Sequence, residues 1–79
     1  MEEIKVALTV DARGLVCPMP IIRAKQGIGK IEIGDVMEIL ATDPGSMPDF
    51  RAWARATGHE LLEAEESDAA FRFRIRRSK

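Results

Sequence analysis

The chain of 79 residues has no tyrosine and only one cysteine, one histidine, one tryptophan and three phenylalanines. A lone cysteine excludes an intramolecular disulfide, so a domain this small must be held by its core. It also excludes a dithiol redox centre, which needs a resolving partner. The single histidine, His59, has no C-x-x-C or H-x-x-x-H beside it and makes no zinc site. No metal and no cofactor is therefore expected. Few aromatics leave no platform for stacking single-stranded RNA. Charge of either sign is not in excess: 12 Lys and Arg face 13 Asp and Glu, for a net charge of -1. That balance gives no global attraction to nucleic acid or to an anionic membrane. No apolar run approaches the length of a membrane span. The acidic start, Met1-Glu2-Glu3, lacks the basic and apolar regions of a signal peptide. These absences predict one cytoplasmic domain over residues 1–79, monomeric when free.

What is present is an ordinary globular balance, with 46% hydrophobic and 32% charged residues. Ile4, Val6, Leu8 and Val10 alternate with polar or small residues, as a strand with one buried face does. Asp11-Ala12-Arg13-Gly14 then turns the chain. Ile21, Ala24, Ile28 and Ile31 recur along one side of a helix, with Arg23, Gln26 and Lys30 opposite. Gly27 and Gly29 weaken that helix and can end it. Val36 to Ala41 reads as a central strand covered on much of both faces. Asp43-Pro44-Gly45 fits a type II turn, with positive φ at Gly45. Ser46 and Asp49 match a capping box that opens a second helix, with Pro48 tolerated in its first turn. Met47, Phe50, Trp53, Ala54 and Thr57 share the apolar face of this helix, and Gly58 terminates it. The end reads as a hairpin, His59 to Glu66 and Ala69 to Arg76, turning near Ser67-Asp68. A two-residue turn there sets Glu63 opposite Arg72. The order β-α-β-α-β-β predicts an α+β, two-layer α/β sandwich: a four-stranded mixed sheet with two helices on one face and the first two strands parallel.

The chemistry centres on Cys17-Pro18-Met19-Pro20. Prolines suit a helix start, where the first N–H groups have no intrahelical acceptor. The residue before a proline is pushed from the α region, so Cys17 and Met19 are expected to be non-helical. Cys17 thus falls within one turn of a helix N-terminus, where partial positive charge favours a thiolate. The expectation is a lowered thiol pKa and a nucleophilic sulfur. Arg13, Arg23 and Lys25 are candidates to assist the anion. Met19, Arg23 and Lys25 are also candidate partner contacts.

The stretch Asp11-Ala12-Arg13-Gly14-Leu15-Val16-Cys17-Pro18-Met19-Pro20 resembles the signature of the TusA, or SirA-like, family of sulfur carriers. Ala41-Thr42-Asp43-Pro44-Gly45 and Trp53 to Leu62 resemble that family's later segments. The resemblance spans essentially the whole chain. It implies a fold like the C-terminal domain of translation initiation factor three. It also implies a persulfide on Cys17, with Pro18, Pro20, Arg13 and Gly14 as supporting motif residues. The sulfur donor would be a cysteine desulfurase or a rhodanese-like sulfurtransferase. The acceptor would be a protein of tRNA thiolation, cofactor synthesis or sulfur-oxidation trafficking. Val16 and Met19 stand where tRNA-pathway members carry a basic and an acidic residue.

Two rival readings come from other features. Arg72, Arg74, Arg76 and Arg77 could bind RNA or an acidic protein face. The lone thiol could also be a redox sensor in a regulatory module, cycling through sulfenic acid without sulfur transfer.

Overall fold

A computed structural model describes residues 4–79; the acidic start Met1-Glu2-Glu3 lies outside the described residues. The elements follow the expected order: β1 (Val6–Ala12), α1 (Met19–Ile28), β2 (Val36–Ala41), α2 (Ser46–Thr57), β3 (Glu60–Ser67) and β4 (Ala70–Arg76). The strands form one sheet in the order β1-β2-β4-β3. β1 and β2 are parallel, with Ala12 opposite Ala41 at their C-terminal ends. The other two pairings are antiparallel. Alternation decides the faces. Met37, Ile39, Phe73 and Ile75 are wholly buried, together with Ala24 of α1 and Phe50 of α2. Phe50 and Phe73 join the layers, with ring centroids 4.6 Å apart. Trp53 packs edge-on to Phe50 at 6.2 Å and stays partly buried. Burial of this apolar surface is the main term holding the sandwich together.

Four local expectations are corrected. Met19 is the first residue of α1, not a non-helical one. Its N–H donates to the Val16 carbonyl (2.9 Å), and the Ile22 N–H donates to the Pro18 carbonyl (3.2 Å). These bonds outweigh the proline's restriction on its neighbour, and Pro20 falls where a missing N–H costs nothing. Gly45 has φ -80°, so Asp43-Pro44-Gly45 is not a type II turn. The Ser46 N–H donates to the Asp43 carbonyl (3.0 Å), giving a right-handed turn that runs straight into α2. For the same reason the capping box does not form. Ser46 is already inside the helix, and its hydroxyl is buried without a partner. Asp43 takes over part of the capping, its carboxylate accepting the Gly45 N–H at 3.1 Å.

The hairpin turns one residue later than expected. Ser67 pairs with Ala70, leaving Asp68 and Ala69 as the loop, both at positive φ (51° and 62°). This is the mirror-image geometry whose twist matches the flanking strands. Glu65 therefore stands opposite Arg72, and Glu63 opposite Arg74.

Candidate functional site

The site lies beyond the C-terminal ends of the two parallel strands, on the loop after β1 and beside the loop after β2. The loop after β1 is pinned first. Leu15 N–H donates to the Ala12 carbonyl (3.2 Å), and Gly14 N–H donates to Thr42 Oγ1 (2.9 Å) across to the loop after β2. Gly14 adopts φ +82°, a left-handed conformation open to glycine at little cost. Leu15 packs against the core while Val16 is 68% exposed. Cys17 follows, exposed and free, with a cis bond to Pro18. Pro18 caps α1, Met19 is half-buried and Pro20 is buried beneath the first turn. The helix thus holds the sulfur at its N-terminal end.

The electrostatics differ from expectation. The thiol is shifted up, not down. Partial desolvation is the largest cause, followed by the negative charge of Asp49 and then of Asp43. Desolvation and nearby negative charge both favour the neutral thiol. Asp49 lies in the first turn of α2 and Asp43 in the turn before it. Both were visible in the sequence only as a cap and a turn residue. The β1–β2 pairing sets the loops after Ala12 and Ala41 side by side, and no local pattern carries that signal.

The proposed cationic helpers are elsewhere. Arg13 forks the Asp11 carboxylate, with Nε and Nη2 each 2.9 Å from an oxygen. That contact holds the Asp11 carboxyl down to about 2 and raises the arginine. Arg23 lines a groove with Leu8–Asp11, Gln26, Gly27 and Lys30, on the β1 side of α1. Lys25 is exposed in the last turn of α1. None of the three is among the groups that shift the thiol.

The arginine row of β4 is neutralised on the sheet face opposite the helices. Arg74 reaches Glu38 (3.0 Å) and Glu63 (3.5 Å), Arg72 reaches Glu65 (2.9 Å) and Glu63 (3.4 Å), and Arg76 reaches Glu60 (3.0 Å). Arg77 donates to the Ile31 carbonyl and, at 2.9 Å, to the Lys79 carbonyl. Among the described residues no group of three or more His, Cys, Asp or Glu side chains is placed to hold a metal ion. Among the described residues no helix is long and apolar enough to cross a membrane.

The chain is thus a two-layer α+β domain with an exposed thiol just before the first helix. Residues 8–77 match the family described as Sulfurtransferase TusA, and the chain belongs to that family. The sulfur carrier protein TusA of Allochromatium vinosum is 48% identical over 69 residues, covering 87% of this chain and 91% of its own. A relative in Neisseria meningitidis serogroup A is 51% identical over 63 residues, 80% of this chain and 85% of its own. The crystal structure of the SirA-like protein from Desulfitobacterium hafniense superposes with a TM-score of 0.78 at 31% identity, covering 91% of this chain and 99% of that one. The family and the fold agree with a sulfur carrier role.

Proposed function

We propose that Cys17 is the residue that carries the sulfur, as a persulfide, and that the chain acts as a sulfurtransferase between two partner proteins. The observation that supports this most directly is the exposed thiol at the α1 N-terminus, free of any disulfide. The Cys17 thiolate attacks the outer sulfur of a donor persulfide, R–S–SH. The donor's S–S bond breaks, R–S⁻ leaves and takes up a proton, and Cys17–S–SH forms. An acceptor thiolate repeats the step on the carrier's outer sulfur. No net oxidation or reduction occurs. The donor is a cysteine desulfurase or a rhodanese-like protein, and the work is cytoplasmic. The acceptor is a protein of thiolation, cofactor synthesis or sulfur oxidation. Pro18 and Pro20 act by holding the sulfur, and Gly14 by allowing the loop to turn.

Intact-mass measurement after incubation with a desulfurase and cysteine, or with a rhodanese and thiosulfate, tests this reading. The wild-type chain gains one sulfur and Cys17→Ser gains none. A wild-type chain that takes sulfur from neither donor overturns it, as does sulfur uptake by Cys17→Ser.

A further inference from the structure

We propose that the cavity between α2 and the start of β3 is a docking site for an acidic side chain of a partner protein, held by Arg51, Arg55 and His59. The inference goes beyond the sulfur chemistry and needs no thiol.

The site begins with a helical spacing. Arg51 and Arg55 stand four residues apart on α2 and so share one face. Like charges at that spacing repel, and the helix end favours only Arg55, which lies in the last turn. From Phe50 to His59 the chain holds no acid to offset them. Both arginines are exposed, and with Ala54, His59 and Leu61 they line a cavity of about 270 Å³. His59 is fixed twice. Its ring centroid lies 5.6 Å from that of Trp53, and its Nδ1 accepts the Ser78 N–H at 3.1 Å. A neutral ring that accepts at Nδ1 carries its hydrogen on Nε2, as a donor.

Among the described residues no acid answers these donors: neither Arg51 nor Arg55 has an ion-pair partner. Glu60, between two lining residues in sequence, pairs with Arg76 at 3.0 Å on the sheet face opposite the helices. The charges that reach His59 are those of Arg77 and Lys79, which add to the positive field. Lys79 lies over the end of α2, where a β-carbon on Gly58 would stand 2.9 Å from its Nζ. On a chain of net charge -1 this is a local excess of one sign. The cavity lining names the anion. Ala54 is buried and Leu61 half-buried, so the methylenes of a glutamate can lie against them while its carboxylate meets the guanidinium forks. A phosphate is polar on every side and gains nothing from that lining. RNA would also need an open aromatic face, and Trp53 is packed on Phe50.

NMR titration of the full chain, labelled with nitrogen-15, against an acetylated Glu-Leu-Glu peptide amide tests the proposal. Saturable shifts are expected at the Arg51 and Arg55 Nε–H signals and at His59. Arg51→Gln/Arg55→Gln should weaken binding about tenfold or more, as the loss of hydrogen bonds to a charged group does. Lys5→Gln/Lys30→Gln removes the same charge elsewhere and should leave the affinity within about twofold. A peptide that leaves the cavity signals unmoved overturns the proposal. So does equal weakening by the two double variants, which would mean that only overall charge is read. Inorganic phosphate at the same ionic strength, or a uridine oligonucleotide, that binds through the two arginines more tightly than the peptide overturns the assignment to an acidic side chain. The outcome is separate from that of the carrier reading, because peptide binding involves neither Cys17 nor a sulfur donor.

Discussion

Gly27 of α1 lies so close to Met37 of β2 that a β-carbon on the glycine would stand 2.8 Å from the methionine sulfur. The same atom would stand 2.9 Å from Val10 Cγ2. The glycine therefore sets the approach of the helix to the sheet. Gly29, just past the helix, has φ -73° and no such neighbour, its nearest atom being a backbone oxygen at 3.7 Å.

The same substitution should then have opposite effects at the two sites. Gly27→Ala should destabilise by about 1–3 kcal/mol, as overpacking a close-fitted core does, outweighing the gain in helix propensity. Gly29→Ala should be neutral or stabilise by up to about 1 kcal/mol, because its backbone suits any residue. Urea unfolding midpoints measure both. Equal shifts for the two variants would mean that the helix–sheet distance does not depend on Gly27.

The Arg74–Glu38 pair crosses from β4 to β2 with side chains only 21% and 15% exposed. Arg74→Leu should cost about 1–3 kcal/mol, since it strands a half-buried carboxylate. Adding Glu38→Gln should recover part of that loss. Arg76→Ala, on a pair 45% and 56% exposed, should cost no more than about 1 kcal/mol. Denaturant melts of the single and double variants give the coupling. None of these arginines should contribute to RNA affinity, which a filter-binding assay at low salt checks.

His59 accepts the Ser78 N–H at Nδ1 (3.1 Å), so this contact needs the neutral ring. Burial first, then Arg77 and Lys79, hold its pKa below the ordinary 6.5. The folded state therefore binds the proton less readily than the unfolded chain. The stabilising contribution is complete above pH 6.5 and is lost as pH falls through that value toward the lower, folded one. Thermal stability should decline over that acid range, and the Ser78 amide should lose hydrogen-exchange protection with it. His59→Gln should remove the pH dependence of both readouts.

Much of the fold was legible because its signals are local. The period-two alternation of Val6, Leu8 and Val10 and the helical spacing of Phe50, Trp53 and Ala54 depend only on which side of an element faces the core. Gly58 at φ 83° ends α2 as a left-handed residue should, and the order of elements followed. The misreadings fell where two local preferences compete. Pro44-Gly45 accepts a left-handed or a right-handed turn, and α2 selected the right-handed one. Ser46 was a plausible cap until that turn carried it inside the helix. Asp68 and Ala69 gave no strong turn signal, so the strand register came out wrong by two residues, with Arg72 facing Glu65 rather than Glu63.

The site divides in the same way. That Cys17 stands at a helix start was determined by the sequence alone, because Pro18 and Pro20 act on their own backbone and need no distant partner; its exposure is a result of the fold. The charge around the sulfur was decided only by the tertiary structure. The parallel pairing of β1 with β2 sets the loops after Ala12 and Ala41 side by side, and the charges of Asp49 and Asp43 act on the thiol. Coulomb forces follow distance in space, which strand pairing fixes and sequence spacing does not.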